Sequence, residues 1–209
     1  ARLAALGVSP MFVVVADASE KVAGFFQDCD TRRVTLIAAT YTHRSVLELP
    51  WRHRIVYNVE DRDSSYVYAA HNICAMTGRE ITAIPGGIIV SNNALVCARI
   101  AGCNPVTFIG NDLCMPEPST MPGEPSYRGT DRDGNTVYSL AGFLAGFEWL
   151  LKFARTDPDL AGGRMKVYNS TEGGIMYSKE IEGMPLAEFL EKHPGARRSL
   201  DTALRRSLG

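Results

Sequence analysis

The chain reads as an α/β protein built on a mainly parallel sheet, and three features of the 209-residue sequence predict this. Apolar, β-branched runs recur at residues 11–16, 34–39 and 105–109, and 54–59 and 165–168 read as further strands, each the length of a strand in a buried sheet. Segments long enough for helices separate several of them, as crossover connections between parallel strands require. The composition, 45% hydrophobic with 22 basic and 23 acidic residues interspersed, supports one core that needs no disulfide or metal staple.

In chain order, residues 1–7 read as the last turns of a helix ending at a glycine C-cap, so the sequence is expected to continue a domain begun upstream. Val8-Ser9-Pro10 leads into the first strand, which ends at Asp17. Residues 18–27 carry a helical pattern. From 60 to 82 the pattern is mixed, with Tyr66, Tyr68, His71 and Met76 scattered, and a short strand is expected over 81–84. Pro85-Gly86-Gly87 then punctuates the chain before a helix over 89–101, closed by Gly102. Residues 115–130 hold Pro116, Pro118, Pro122, Gly123, Pro125 and Gly129, enough breakers to predict a long loop. Asp133-Gly134 marks a turn before a short strand, and 141–155 forms the clearest helix, with Phe143, Phe147, Leu150 and Leu151 on one face. Helices near 185–192 and 196–208 finish the chain, which divides into a domain over 1–194 and a helical tail over 195–209.

Charge and composition exclude several functions. A net charge of -1 without a basic stripe offers nothing to a phosphodiester backbone, so no nucleic-acid partner is expected. No apolar stretch is long enough to span a bilayer and no leader pattern opens the chain, which predicts a soluble cytoplasmic protein with no membrane partner. The five cysteines show neither a C-x-x-C pair nor a histidine at ligand spacing, so no metal site is expected.

Ligands of open parallel sheets bind outside the carboxyl ends of the strands. That rule selects Asp17, Thr40 with His43, Asn58 with Glu60, Asn111 with Asp112, and Asn169 to Glu172. Between them lies Gly86-Gly87, followed by Ser91 and Asn92 at a helix start, where close-approaching backbone and unsatisfied amides suit a phosphate oxyanion. Asp112 suits a sugar or ribose hydroxyl, or a magnesium ion, and equally suits an N-cap or Asx turn. Glu172 reads either as a catalytic carboxylate or as a loop acid accepting backbone amides. Tyr127 and Arg128 in the proline-rich loop suit a departing phosphate. Among the histidines His43 is favoured because it follows a strand end, whereas Phe147, Trp149 and Phe153 read as core.

The run from Ser91 to Leu113, which includes Gly102-Cys103-Asn104-Pro105 and Gly110-Asn111-Asp112-Leu113, resembles the central signature of the Maf (motility-associated factor) family. Gly129 to Ser139 is similar to that family's "DxxGNxVYT" element, Asn169 to Gly174 to its "NATEGG" element, and Gly7 to Asp17 to its first strand. The likeness runs over residues 3–192. It implies a Rossmann-like domain similar to the small sialyltransferases that use CMP-activated sugars, and an activity attaching nonulosonic acids to flagellin. The same broad family includes the MptE-like hydroxymethylpterin diphosphokinases, which use ATP and magnesium. Carried over, Gly86, Gly87, Ser91 and Asn92 face the nucleotide, and Asp17, Asp112 and Glu172 surround the activated sugar. The family's opening "GxGPSL" element is not in the sequence and is expected before Ala1, and Leu113-Cys114-Met115-Pro116 stands where the family carries a histidine.

The leading expectation is therefore a glycosyltransferase-like enzyme using a CMP-linked nonulosonic-acid donor, with flagellin as acceptor. An ATP- and magnesium-dependent diphosphokinase is the first alternative, and a non-catalytic module that binds nucleotide-sugars is the second.

Overall fold

The computed structural model describes residues 7–60, 76, 78, 83–121 and 123–194. The helix end over 1–6, most of the mixed segment over 61–82 and the tail over 195–209 lie outside the described residues.

Three parallel strands come first: β1 (Phe12–Val15), β2 (Thr35–Ala39) and β3 (His53–Glu60). A fourth, β4 (Ala83–Pro85), joins the far end of β3, giving the order β1-β2-β3-β4 with every neighbour parallel. The alternation of side chains along these strands explains how both faces are covered. On one face Val15, Leu36 and Ala38 pack with Val22, Val46 and Trp51, which come from a 3-10 helix (Glu20–Phe26), the short helix α1 (Arg44–Leu47) and the turn after it. The helical pattern over 18–27 is thus tightened into a 3-10 segment, whose start Ser19 caps by accepting from Lys21 N. On the other face Val14, Ile37, Ala39, Tyr57 and Ile84 pack against Val96 and Cys97 of α2 (Val90–Ile100) and Trp149 and Phe153 of α3 (Ala141–Thr156).

A second sheet has the order β5-β8-β9, again all parallel, with β5 (Val106–Phe108), β8 (Val167–Asn169) and β9 (Glu182–Gly183). Phe108 and Val167 pack with Leu95 of α2 and Leu150 of α3. The same two helices therefore line both clusters, Trp149 and Phe153 touching each. After α3 come the short α4 (Pro158–Ala161) and, past β9, α5 (Leu186–Lys192).

The loop expected over 115–130 is corrected in part. Ser126–Thr130 forms β6, paired antiparallel with β7 (Thr136–Leu140). The proline content ends at Pro125, and the turn that follows is held by the Asp131 carboxylate, which accepts from Asp133 N at 2.9 Å, Asn135 N at 2.8 Å and Asn135 Nδ2 at 3.0 Å. Gly134 supplies the positive φ of 86° that closes it.

Candidate functional site

The C-terminal ends of β1, β2 and β3 gather the first set of expected residues. Asp17 accepts from Ser19 N at 2.7 Å through Oδ1, and its backbone carbonyl accepts from His43 N at 3.1 Å. Thr42 ties the two strand ends by donating to the Val15 carbonyl at 3.0 Å in a buried position. The His43 ring accepts from Ser45 N through Nδ1 at 3.2 Å, so in the neutral ring the proton sits on Nε2. Thr40 Oγ1 donates to Oδ1 of the buried Asn58 at 3.1 Å. Glu60 ends β3 opposite Pro85 of β4.

Next along the rim, Gly86 and Gly87 follow β4 and turn the chain into α2. The turn is fastened from inside the helix. Gly87 N donates to Asn93 Oδ1 at 2.9 Å, and Gly87 has no room for a side chain, since a Cβ would fall 2.0 Å from Asn92 Cβ. Asn92 is fully buried and donates through Nδ2 to the Gly146 carbonyl of α3 at 3.0 Å, while its Oδ1 has no partner among the described residues. Asn92 therefore faces the α2–α3 contact, and only Ser91 of the expected pair is partly exposed. The N-cap of α2 is Ile89, which provides no side-chain hydrogen bond, so the amides of the first turn carry no side-chain cap. Beneath the turn, burial raises the Tyr57 phenol well above its ordinary value, the neighbouring Cys97 and Tyr41 pushing the same way.

A second set is assembled at the ends of β5 and β8. Asp112 is exposed, and its carbonyl accepts from Ile175 N at 3.0 Å. Gly174, at φ 74°, lets the two loops touch: a Cβ there would lie 2.3 Å from the Asp112 carbonyl oxygen. Asn111 N donates to Thr171 Oγ1 at 3.0 Å and Asn111 Nδ2 contacts Met176 Sδ at 2.9 Å. Glu172 is exposed at φ 62°, and its Oε1 accepts from Leu186 N, the first residue of α5, at 2.8 Å. Its carboxylate thus caps a helix.

The hairpin closes this side. Ser139 Oγ donates to the Leu113 carbonyl at 2.7 Å, Met115 and Tyr138 exchange backbone bonds, and Arg132 N donates to the Gly174 carbonyl at 3.1 Å. Cys114 lies among these loops, its thiol raised by burial and by the charges of Asp112 and Asp131. Tyr127 and Arg128, expected together on a loop, stand on β6 as consecutive strand residues and so face opposite sides of the ribbon. Tyr127 pairs with Ser139 and shares its face, the one that meets the β5 loop, whereas Arg128 pairs with Tyr138 on the other.

Sequence reasoning missed Asn93, Ser139 and Gly146, which hold the loops rather than lie at their tips, whereas Thr171, inside the selected span 169–172, holds the Asn111 amide. The available signals were two adjacent amides at the start of an apolar helix and a glycine inside another, both out of place by propensity. Among the described residues, no group of three or more His, Cys, Asp or Glu side chains is placed to hold a metal ion.

A family model described as 6-hydroxymethylpterin diphosphokinase MptE-like matches residues 1–118, more than half of the 209. The chain belongs to the MptE-like family. Over 98% of its length this MptE-like chain also superposes on a solved Maf glycosyltransferase from Magnetospirillum magneticum AMB-1, with a TM-score of 0.64 and 20% identity. It spans 30% of that protein, and the likeness is one of fold: the mainly parallel, Rossmann-like α/β arrangement. No curated protein matches the chain. Among its described residues, no helix is long and apolar enough to cross a membrane.

Proposed function

We propose that this MptE-like chain provides the nucleotide side of a glycosyltransferase-like site, in which a CMP-linked sugar of the nonulosonic-acid type is cleaved from its phosphate. The observation that carries this reading is the start of α2: first-turn amides without a side-chain cap, behind a glycine turn fastened by Asn93. Such an end attracts an oxyanion through its N–H groups and its partial positive charge. In the reaction the bond between the anomeric carbon and the phosphate oxygen breaks, the phosphate keeps the electron pair, and an acceptor hydroxyl oxygen bonds to the carbon as its proton leaves.

Gly86 and Ser91 would receive the phosphate, with Gly87, whose amide is held by Asn93 Oδ1, letting the backbone come close to it. Asp17, Thr40 and His43 would line the nucleotide or sugar, while Asn111 and Asp112 would orient a sugar or acceptor hydroxyl. Tyr127 shares the face of the hairpin that meets the Asp112 loop and would steady the leaving phosphate; Arg128, on the other face, would act only on a ligand that reaches around the ribbon. Glu172 would shape the site through its hold on α5. Flagellin as acceptor, a cytoplasmic location and a domain body over 1–194 complete the reading.

A second reading follows from the family's description, a 6-hydroxymethylpterin diphosphokinase, for which ATP with magnesium would be the phosphoryl donor. Thermal-shift titrations with CMP and with ATP plus magnesium separate the two. Stabilisation by CMP is expected, and stabilisation by ATP with magnesium alone would end the glycosyl-transfer reading. In the full-length protein, release of CMP from a CMP-sugar is expected to fall at least about a hundredfold in Asp112→Ala. His193→Ala, whose ring packs on Phe189 and Tyr168, is expected to leave that release unchanged. CMP release in neither protein would favour a binding module over an enzyme.

A further inference from the structure

The position of the glycine turn is controlled from α3, a helix that contributes none of the residues expected at the rim. Gly146 is buried midway along α3, where glycine weakens a helix and calls for a local reason. Two contacts supply it. A Cβ at Gly146 would lie 2.8 Å from Ile89 Cγ1, 2.9 Å from Cδ1 and 3.0 Å from Cγ2, so both branches of the isoleucine are met at once. Rotating Ile89 about its first side-chain bond would not clear both, and its stiffness makes backbone movement the remaining outlet. Ile89 is the N-cap of α2, two residues after Gly87. Besides this, the Gly146 carbonyl accepts from Asn92 Nδ2 at 3.0 Å.

Asn92 completes the arrangement. Its Cβ packs where a Gly87 side chain would be, and Asn93 beside it accepts from Gly87 N. Among the described residues its own Oδ1 has no partner although the residue is fully buried, a costly state for an amide. We infer that Gly146 is a positioning residue for the glycine turn, acting through Ile89 and Asn92 to set where the Gly87 amide and the first-turn amides of α2 point. The inference rests on the reading of that turn as an anion site for its consequence, though not for its geometry.

The test uses the whole chain as Gly146→Ala, Ile89→Ala and the double variant, with CMP as probe. Gly146→Ala is expected to bind CMP at least about tenfold more weakly than the parent. The double variant, in which the methyl groups that meet the new Cβ are gone, is expected to recover affinity to within about threefold of the parent. Affinity that returns on removing further apolar side-chain volume is not what general loosening would produce. Amide exchange at Gly87, the donor to Asn93, is expected to quicken about tenfold or more in Gly146→Ala with no nucleotide present.

Unchanged Gly87 exchange in Gly146→Ala overturns the inference whatever CMP does. So does a loss of CMP affinity that removal of the Ile89 side chain fails to restore. If the parent chain binds neither CMP nor ATP with magnesium, the anion-site reading fails, and the exchange comparison alone decides whether Gly146 positions the turn.

Discussion

At the scale of single residues, the rim is held together by side chains that bind backbone. Gly87 is the tightest point, because a side chain there would collide with the buried Asn92. Gly87→Ala is expected to cost about 1–3 kcal/mol, the usual penalty for forcing volume into a packed contact, and urea unfolding measures it directly. Asp131 is a different kind of residue. The side-chain bond from Asn135, helped by backbone N–H groups of Asn135, Asp133 and Gly134, holds its carboxyl below the ordinary 3.8. A carboxyl depressed on folding adds stability that is fully present above its unfolded pKa and disappears as pH falls through the folded value. Tm is therefore expected to drop on acidification below about pH 4, and Asp131→Asn is expected to flatten that part of the profile. An unchanged slope in the variant would mean that the Asp131 turn is not formed in solution.

At the scale of elements, what could be read in advance depended on whether a signal was local. The strands β1, β2, β3 and β5 were legible from short runs rich in β-branched residues, β8 from its brief Val-Tyr segment, and α3 because its apolar residues repeat at helical spacing. β6 was not. Its five residues sit behind a run of prolines and acquire strand geometry by pairing with β7 across the Asp131 turn, a partnership that no residue of β6 itself announces. The roles of Tyr127 and Arg128 were obscured for the same reason, since the face each occupies is fixed by its register against Ser139 and Tyr138. Glu172 shows the reverse case: a position legible from the strand-end rule, with a helix cap that required knowing where α5 begins.

That cap has a measurable consequence. Glu172→Ala is expected to cost about 0.5–2 kcal/mol through the lost bond to Leu186 N. Glu172→Gly loses the same bond but relieves the left-handed backbone at φ 62°, and is expected to be about 1 kcal/mol more stable than the alanine variant. Equal stabilities in thermal unfolding would show that the loop does not hold that conformation.

At the scale of the whole molecule, two parallel sheets share one pair of helices. Leu150 of α3 is fully buried in the cluster with β5 and β8, while its neighbours Trp149 and Phe153 also reach the cluster over β1–β4. Leu150→Ala is expected to cost about 2–5 kcal/mol and to lower a single unfolding transition, since α3 contributes to both cores. Two separated transitions, one at Trp51 and one at Trp149, would show instead that the sheets fold independently. The strand-end rule selects residues without any motif, because the parallel strands of one sheet all finish on the same side. It was silent on what fixes the rim, because Asn93, Gly146 and Ser139 act through packing across elements distant in sequence.

The claim on which the functional reading stands is that nucleotide phosphate binds at the start of α2. Titrating CMP into the isotopically labelled chain and following backbone amides by NMR tests it most directly. The largest shifts are expected at Gly86, Gly87, Val90 and Ser91, with smaller ones at Asp17 and Asp112. Saturable shifts that leave the Gly86–Ser91 amides unmoved, or no shifts with either CMP or ATP plus magnesium, would contradict it.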